Sequence, residues 1–205
     1  GASHELKTPI AVMRNDIEVA LNQERSAEAY QQLLLSHMEE LDRLVGLIES
    51  MLFLAKTDSE LLKMDRENIS LTGDVLEEIV EFFEPIAESK KIELHLDGAS
   101  DLYVKGNMSA MRQLFFNLLD NAIKYNRAGG RVWIELGKNN GNGVVYVKDT
   151  GYGIPDAELP KIFDRFYRVD PSRSSIIPGH GLGLSICQAI ARAHGGEISV
   201  KSAVG

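Results

Sequence analysis

"LLSHMEELDRLVGLIESMLFLA", residues 34–55, carries the pattern that decides how the chain begins to fold. Its apolar positions Leu34, Met38, Leu41, Val45, Ile48, Leu52 and Ala55 follow one another at alternating steps of four and three. That is a heptad seam, the spacing that keeps one narrow stripe of an α-helix turned toward a partner. Leu6, Ile10, Met13, Ile17 and Ala20 repeat the spacing upstream, and the polar "NQERSAEA" at 22–29 separates the two runs, with Ser26 placed as an N-cap. The pattern predicts a helical hairpin. Two helices with narrow seams do not enclose a core by themselves, so a homodimer forming a four-helix bundle through residues 1–56 is expected.

Past "KTDSELLKMDRENISL" the pattern changes to strands alternating with helices. Strand-like "ENISL", a helix over 73–90, strand-like "IELHL" and "LYVKG", a helix over 108–125, strands "RVWIEL" and "VVYVKD" joined by "GKNNGNG", a helix from near Gly183 and a closing "EISV" read as an α/β sandwich. The expected fold class is α+β: the hairpin, then one mixed sheet with helices on a single face. The domains expected are 1–60 and 61–205.

The 205 residues include 22 basic and 30 acidic side chains, a net charge of −8. That balance argues against nucleic acid or an anionic lipid surface as the main partner. Residues 1–60 carry 5 basic and 11 acidic groups, a net −6, against −2 for the rest, so the two parts differ in kind. One cysteine, Cys187, forms no intramolecular disulfide, and no Cys/His cluster has zinc-site spacing, which fits a reducing compartment. No apolar run approaches the roughly 20 residues that span a bilayer. The chain starts two residues before a reactive-looking motif and stops inside an apparent strand, so a membrane anchor upstream is compatible with it.

That motif is "SHELKTPI", residues 3–10. With Leu6 and Ile10 in the seam, His4, Glu5 and Thr8 fall at outward heptad positions and share one surface patch. Pro9 removes a backbone donor and is expected to kink the helix. A carboxylate beside an exposed imidazole holds one tautomer and leaves the other nitrogen's lone pair to react. Ordinary helix-surface chemistry is the competing reading.

Three further stretches suit a nucleotide. In "NLLDNAIKYN", Asn117, Asn121 and Lys124 line one helix face; amide oxygens suit Mg²⁺ and the ammonium suits phosphate, although a solvated face would look the same. In "VVYVKDTGYGIP", Asp149 ends a strand and is followed by Gly151 and Gly153, an arrangement that can accept a hydrogen bond from an exocyclic amine or simply make a turn. In "PGHGLGLSICQAIARAHGG", Gly179, Gly181 and Gly183 precede an amphipathic helix whose free amides can bind phosphate, although neither usual glycine fingerprint is matched. Between the last two, "KIFDRFYRVDPSRSSIIP" reads as a hinged lid whose Arg168 could reach the terminal phosphate, or as a loop packed down by Phe163, Phe166 and Tyr167.

Taken in order, "SHELKTPI", "NLLDNAIKYN", "DTGYGIP", "FDRFYRVD" and "GHGLGLSI" resemble the H, N, G1, F and G2 boxes of a sensor histidine kinase of two-component signalling. The resemblance implies a dimerisation and histidine-phosphotransfer domain followed by an ATP-binding catalytic domain of the Bergerat type. It implies His4 as phospho-acceptor, Glu5 as its acid/base partner and Thr8 as the residue placing water in dephosphorylation. Asn121 would be the main Mg²⁺ ligand with Asn117 assisting, Lys124 would meet phosphate, and Tyr125 would flank adenine. Asp149 would read the adenine amino group, Gly151 and Gly153 would shape its pocket, and Gly179, Gly181, Leu182 and Gly183 would edge the triphosphate. Asn107 stands where the family often has aspartate. ATP and Mg²⁺ are then the expected cofactors. A response-regulator receiver domain is the expected partner, and the expected location is the cytoplasmic side of a plasma-membrane sensor. A non-kinase ATPase of the same fold, a nucleotide-binding dimeric scaffold and a phosphatase-biased switch are the alternatives.

Overall fold

The computed structural model describes residues 2–55, 65–97, 102–139, 141–169 and 179–204, with the side chains of residues 2–5 outside the description. The expected charged linker at 56–64 and the end of the expected lid at 170–178 lie outside the described residues. Contacts divide the chain into residues 1–55 and residues 56–205.

In the first unit, helices α1 (Ala2–Asn22) and α2 (Ala27–Ala55) form the hairpin. α1 is continuous through Pro9. Ser26 caps α2 as the sequence predicts: its Oγ accepts the Ala29 N–H at 3.2 Å. Glu28, fully exposed in that first turn, accepts from its own backbone N–H and from Ser26, which holds its carboxyl below the ordinary carboxylate range. The Tyr30 hydroxyl closes the turn by donating to the carbonyls of Ala20 and Gln23 at 3.1 and 3.3 Å.

α2 carries two stripes where the sequence reading recognised one. His37, Leu44, Leu47 and Leu54 are buried within the hairpin, whereas Leu34, Met38, Leu41, Val45, Ile48 and Leu52 remain 45–63% exposed. The two stripes are offset by one residue, about 100° around the helix, so each faces a different neighbour. α1 divides similarly: Ala20 is buried and Leu6 and Met13 are half-buried, while Ile10 and Ile17 are exposed.

In the second unit β1 (Glu67–Ser70) pairs antiparallel with β3 (Tyr103–Gly106), and β2 (Glu93–Asp97), β4 (Arg131–Asn139) and β5 (Asn142–Asp149) form a mixed sheet in the order β2-β4-β5. β2 and β4 run parallel and β4 and β5 antiparallel. Helices α3 (Glu77–Ser89), α4 (Met108–Lys124) and α5 (Gly183–Ala193) supply the covering layer. Val132 and Ile134 of β4 are completely buried, while His95 stacks on Trp133 on the other face of the sheet with ring centroids 6.1 Å apart. This alternation leaves one face for the helices.

Two details differ from the sequence reading. The helix expected over 73–90 begins as a π-helical turn, Leu71–Leu76, because the Ser70 hydroxyl accepts the Gly73 N–H and Asp74 accepts the Ser70 N–H, fixing the chain direction before α3 starts. The closing "EISV" joins no ladder among the described residues; beyond it Ser202 Oγ accepts the Ile154 N–H at 2.8 Å.

Candidate functional site

α4 is the spine of the site. Asn107 caps its start, the Oδ1 accepting from the Ala110 N–H at 3.0 Å, and Ala110, Met111, Leu114, Phe115, Leu119, Ala122 and Ile123 bury one face. That face fixes the helix on the sheet and leaves Asn117, Asn121 and Lys124 half-buried along another side. Gln113 donates to Asn117 Oδ1 at 3.3 Å, while Asn117 Nδ2 is buried without a hydrogen-bond partner. A buried N–H donor of this kind is what an acceptor oxygen of a ligand satisfies.

The glycine segment lies along the same side of α4. A Cβ on Gly183 would stand 3.7 Å from Asn121 Nδ2 and 3.8 Å from Asn117 Cγ, and one on Gly179 would stand 3.1 Å from Lys124 Nζ. Leu182, itself buried, is the N-cap of α5 and offers no side-chain cap, so the first amides of α5 keep their donors for another acceptor. Two amides, one ammonium and an uncapped helix start therefore converge from two elements far apart in sequence. Lys124 Nζ stands 3.5 Å from Asp120 Oδ2.

The turn after β5 is bound to the end of α4. Tyr152 N–H donates to the Tyr125 carbonyl at 3.1 Å, and a Cβ on Gly151 would collide with that carbonyl. Gly153 sits at φ +72° with the Ala203 carbonyl directly where a Cβ would be. Asp149 Oδ1 accepts the Gly151 N–H at 2.8 Å, leaving its other oxygen outside that bond on an exposed strand end. Tyr125 is 38% exposed, and a Cβ on Gly151 would crowd both its carbonyl and Asp149 Oδ1.

The aromatic segment closes on the glycines. Phe166, at φ +66°, donates its N–H to the Gly181 carbonyl at 2.9 Å, and Arg168 Nη1 donates to the Gly179 carbonyl at 2.6 Å. Arg168 thus contacts the glycine backbone. Phe163, Phe166 and Tyr167 are half-buried.

The residues present fit a nucleotide with a hard cation. No cluster of three His, Cys, Asp or Glu able to hold a metal occurs among the described residues. A Mg²⁺ ion here would take amide oxygens of Asn121 and Asn117 and otherwise keep waters and phosphate oxygens, the ordinary way this ion is held.

Sequence reasoning missed the braces. Asn126, buried, donates to the Arg131 carbonyl at 3.1 Å and accepts from the Arg127 N–H, and Thr150 Oγ1 accepts the Arg131 N–H at 2.9 Å, so the turn after β5 is tied to the start of β4. Gly130 is the local signal, since a Cβ there would collide with Asn126 Oδ1. Cys187 donates its thiol to the Leu114 carbonyl at 3.4 Å, joining α5 to α4, and burial pushes the thiol up to about 12, outweighing the opposing pull of the nearby Asn117 amide and of its own backbone. On the hairpin, the backbone of His4 and Glu5 lies in α1; their side chains, and with them the expected exposure of His4, lie outside the described residues. Thr8 is exposed one turn on.

Residues 106–205 match the profile of the histidine kinase-, DNA gyrase B- and HSP90-like ATPases, and residues 1–60 match the His Kinase A (phospho-acceptor) domain. Among curated relatives, a probable sensor protein, PcoS, of Escherichia coli is 38% identical over 97% of this chain and 42% of its own length. The sensor histidine kinase WalK of Bacillus subtilis is 34% identical over 99% of this chain and 34% of its own. The chain therefore spans less than half the length of these curated relatives. Among solved structures, ShkA in complex with AMPPNP superposes with a TM-score of 0.74 at 25% identity, covering 99% of this chain and 42% of that one. The Acinetobacter baumannii histidine kinase AdeS shares the fold, with a TM-score of 0.70 at 24% identity over 93% of this chain and 86% of that one.

Proposed function

Because this chain belongs to the sensor histidine kinase family, we propose that it binds Mg²⁺-ATP in the second unit, transfers the γ-phosphoryl group to a ring nitrogen of His4, and passes it to an aspartate of a separate response regulator. The observation that carries the reading is the convergence of Asn117, Asn121 and Lys124 with the glycine segment at the uncapped start of α5, beside the Asp149 turn. AMPPNP bound by ShkA supports a triphosphate in this fold.

In this reading Asp149 accepts from the adenine amine and Tyr125 flanks the base. The glycines admit the triphosphate to the amides of α5, and Lys124 meets a phosphate oxygen. Mg²⁺, when bound, offsets charge on the phosphate oxygens. The His4 nitrogen bearing the lone pair forms the bond to phosphorus as the bond to ADP breaks, and Glu5 takes the proton from the other ring nitrogen. Positioning and electrostatics carry most of such a reaction. In a separate hydrolytic step, Thr8 would place the water that attacks the regulator's aspartyl phosphate and releases inorganic phosphate.

Homodimerisation through the exposed stripe of α2 belongs to the same reading, with residues 1–60 as the dimerisation and phosphotransfer domain and 61–205 as the catalytic domain. Among the described residues no helix is long and apolar enough to cross a membrane. A membrane-anchored sensor upstream, with this region on the cytoplasmic side, completes the proposal. Calorimetry with ATP and Mg²⁺ tests the site: binding is expected, weakened about tenfold or more in Asn121→Ala and Asp149→Asn. Equal binding by wild type and both variants would overturn the assignment.

A further inference from the structure

α4 and α5 are fastened to each other at the end away from the candidate phosphate site, by a residue the reading above leaves without a role. The two helices run antiparallel: Gly183 approaches Asn117 and Asn121, Cys187 reaches the Leu114 carbonyl, and His194 reaches Asn107. His194 is the C-cap of α5. Its Nδ1 lies 2.8 Å from the Ile190 carbonyl, which can only accept, so Nδ1 carries the hydrogen. Nε2 then keeps its lone pair, and the Asn107 N–H donates to it at 3.1 Å. One neutral tautomer satisfies both contacts.

The surroundings are built to hold that ring. A Cβ on Gly106 would stand 2.9 Å from His194 Cδ2, so a residue with no side chain precedes Asn107. Asn107 is itself the N-cap of α4. The neighbouring carbonyl at the end of α5, Ala193, accepts from Arg66 Nη2 at 2.6 Å, and Asn107 Nδ2 donates to the Asp65 carbonyl at 3.4 Å. The segment entering β1 is thus tied to the same two helix ends.

We propose that His194, assisted by Arg66, is a positioning residue of the nucleotide site: it sets from behind the spacing and tilt of the two helices whose other ends present the amides, the lysine and the glycines. Asn121 lies 14 residues beyond Asn107, about 21 Å along the helix at 1.5 Å per residue, so a tilt of about 3° at the clasp moves its amide by about 1 Å. A 1 Å displacement of a positioning group can cost a phosphoryl transfer about a hundredfold. The inference rests on the nucleotide reading of the site.

The test uses the whole 205-residue chain and its His194→Ala, His194→Gln and Arg66→Ala variants, with ATP affinity by calorimetry, thermal unfolding without nucleotide, and ¹⁵N spectra of the histidine rings. Glutamine can donate to Ile190 and accept from Asn107 through one amide. The expected results are ATP affinity weakened about tenfold in His194→Ala, a smaller loss in Arg66→Ala, recovery to within about threefold of wild type in His194→Gln, and the Nδ1–H tautomer for His194. Wild-type affinity in a folded His194→Ala, or a folded His194→Gln as weak as the alanine variant, overturns the inference. So does an Nε2–H tautomer, which is readable even where His194→Ala does not fold. Failure of the wild type to take up ATP overturns the nucleotide reading instead, and this inference with it.

Discussion

Replacing Leu41 and Ile48 together by alanine perturbs the exposed stripe of α2 without touching the stripe buried inside the hairpin. Leu41 is 52% and Ile48 45% exposed in the single chain. Full burial of such a side chain is worth about 1.5–3 kcal/mol, so covering the exposed half in a dimer contributes about 1 kcal/mol each. A two-fold interface contains every position twice, so the double variant removes four such contributions, about 4 kcal/mol. At a factor of ten per 1.4 kcal/mol, the dimer dissociation constant rises about a thousandfold. Sedimentation equilibrium across a concentration series reads this directly, and ATP binding should stay at the wild-type value. Leu47→Ala is the control: Leu47 is completely buried, and its truncation should lower the hairpin's thermal stability by about 2–5 kcal/mol. A wild type that is monomeric at micromolar concentration, or a double variant that dimerises as tightly as wild type, would refute the assignment of the two stripes.

Gly181 sits at φ +68°, and a Cβ there would stand only 2.5 Å from the Tyr167 carbonyl oxygen, so Gly181→Ala should displace the aromatic segment and weaken ATP binding tenfold or more. Gly129, at φ +79° with nothing within 4 Å, supplies the comparison: Gly129→Ala should cost about 1 kcal/mol of stability and leave calorimetric ATP affinity unchanged. Cys187, pushed up by burial from 9.0 to about 12, should resist alkylation in the native protein and react on unfolding. A thiol raised in the folded state favours folding fully below the unfolded value and loses that contribution as pH rises, so thermal unfolding midpoints should fall from about pH 9 toward 12 in wild type and less in Cys187→Ala.

The parts of the fold that could be read in advance are those written locally. Heptad spacing placed both helices of the hairpin, Ser26 marked a cap, and the glycines at 179, 181 and 183 preceded a helix that starts at Gly183. The α2 stripes were harder, because Leu44, Leu47 and Leu54 sit one residue from the recognised seam and a purely periodic reading merges two adjoining apolar faces. Long-range pairings left no local trace. His194 and Asn107 are 87 residues apart, and Asn126, Arg131 and Thr150 brace one turn from three separate stretches of the chain. The π-helical turn at Leu71–Leu76 follows from side-chain bonds of Ser70 and Asp74 that outweigh the helical pattern expected from Gly73 onward.

Phosphoryl transfer to His4 is the centre of the account, and incubation with γ-labelled ATP and Mg²⁺ tests it most directly. The label should appear on the protein, survive alkali and be lost in acid, as a phosphorus–nitrogen bond requires, and should vanish in His4→Gln while that variant still binds ATP. Label that resists acid, or that persists in His4→Gln, would contradict it.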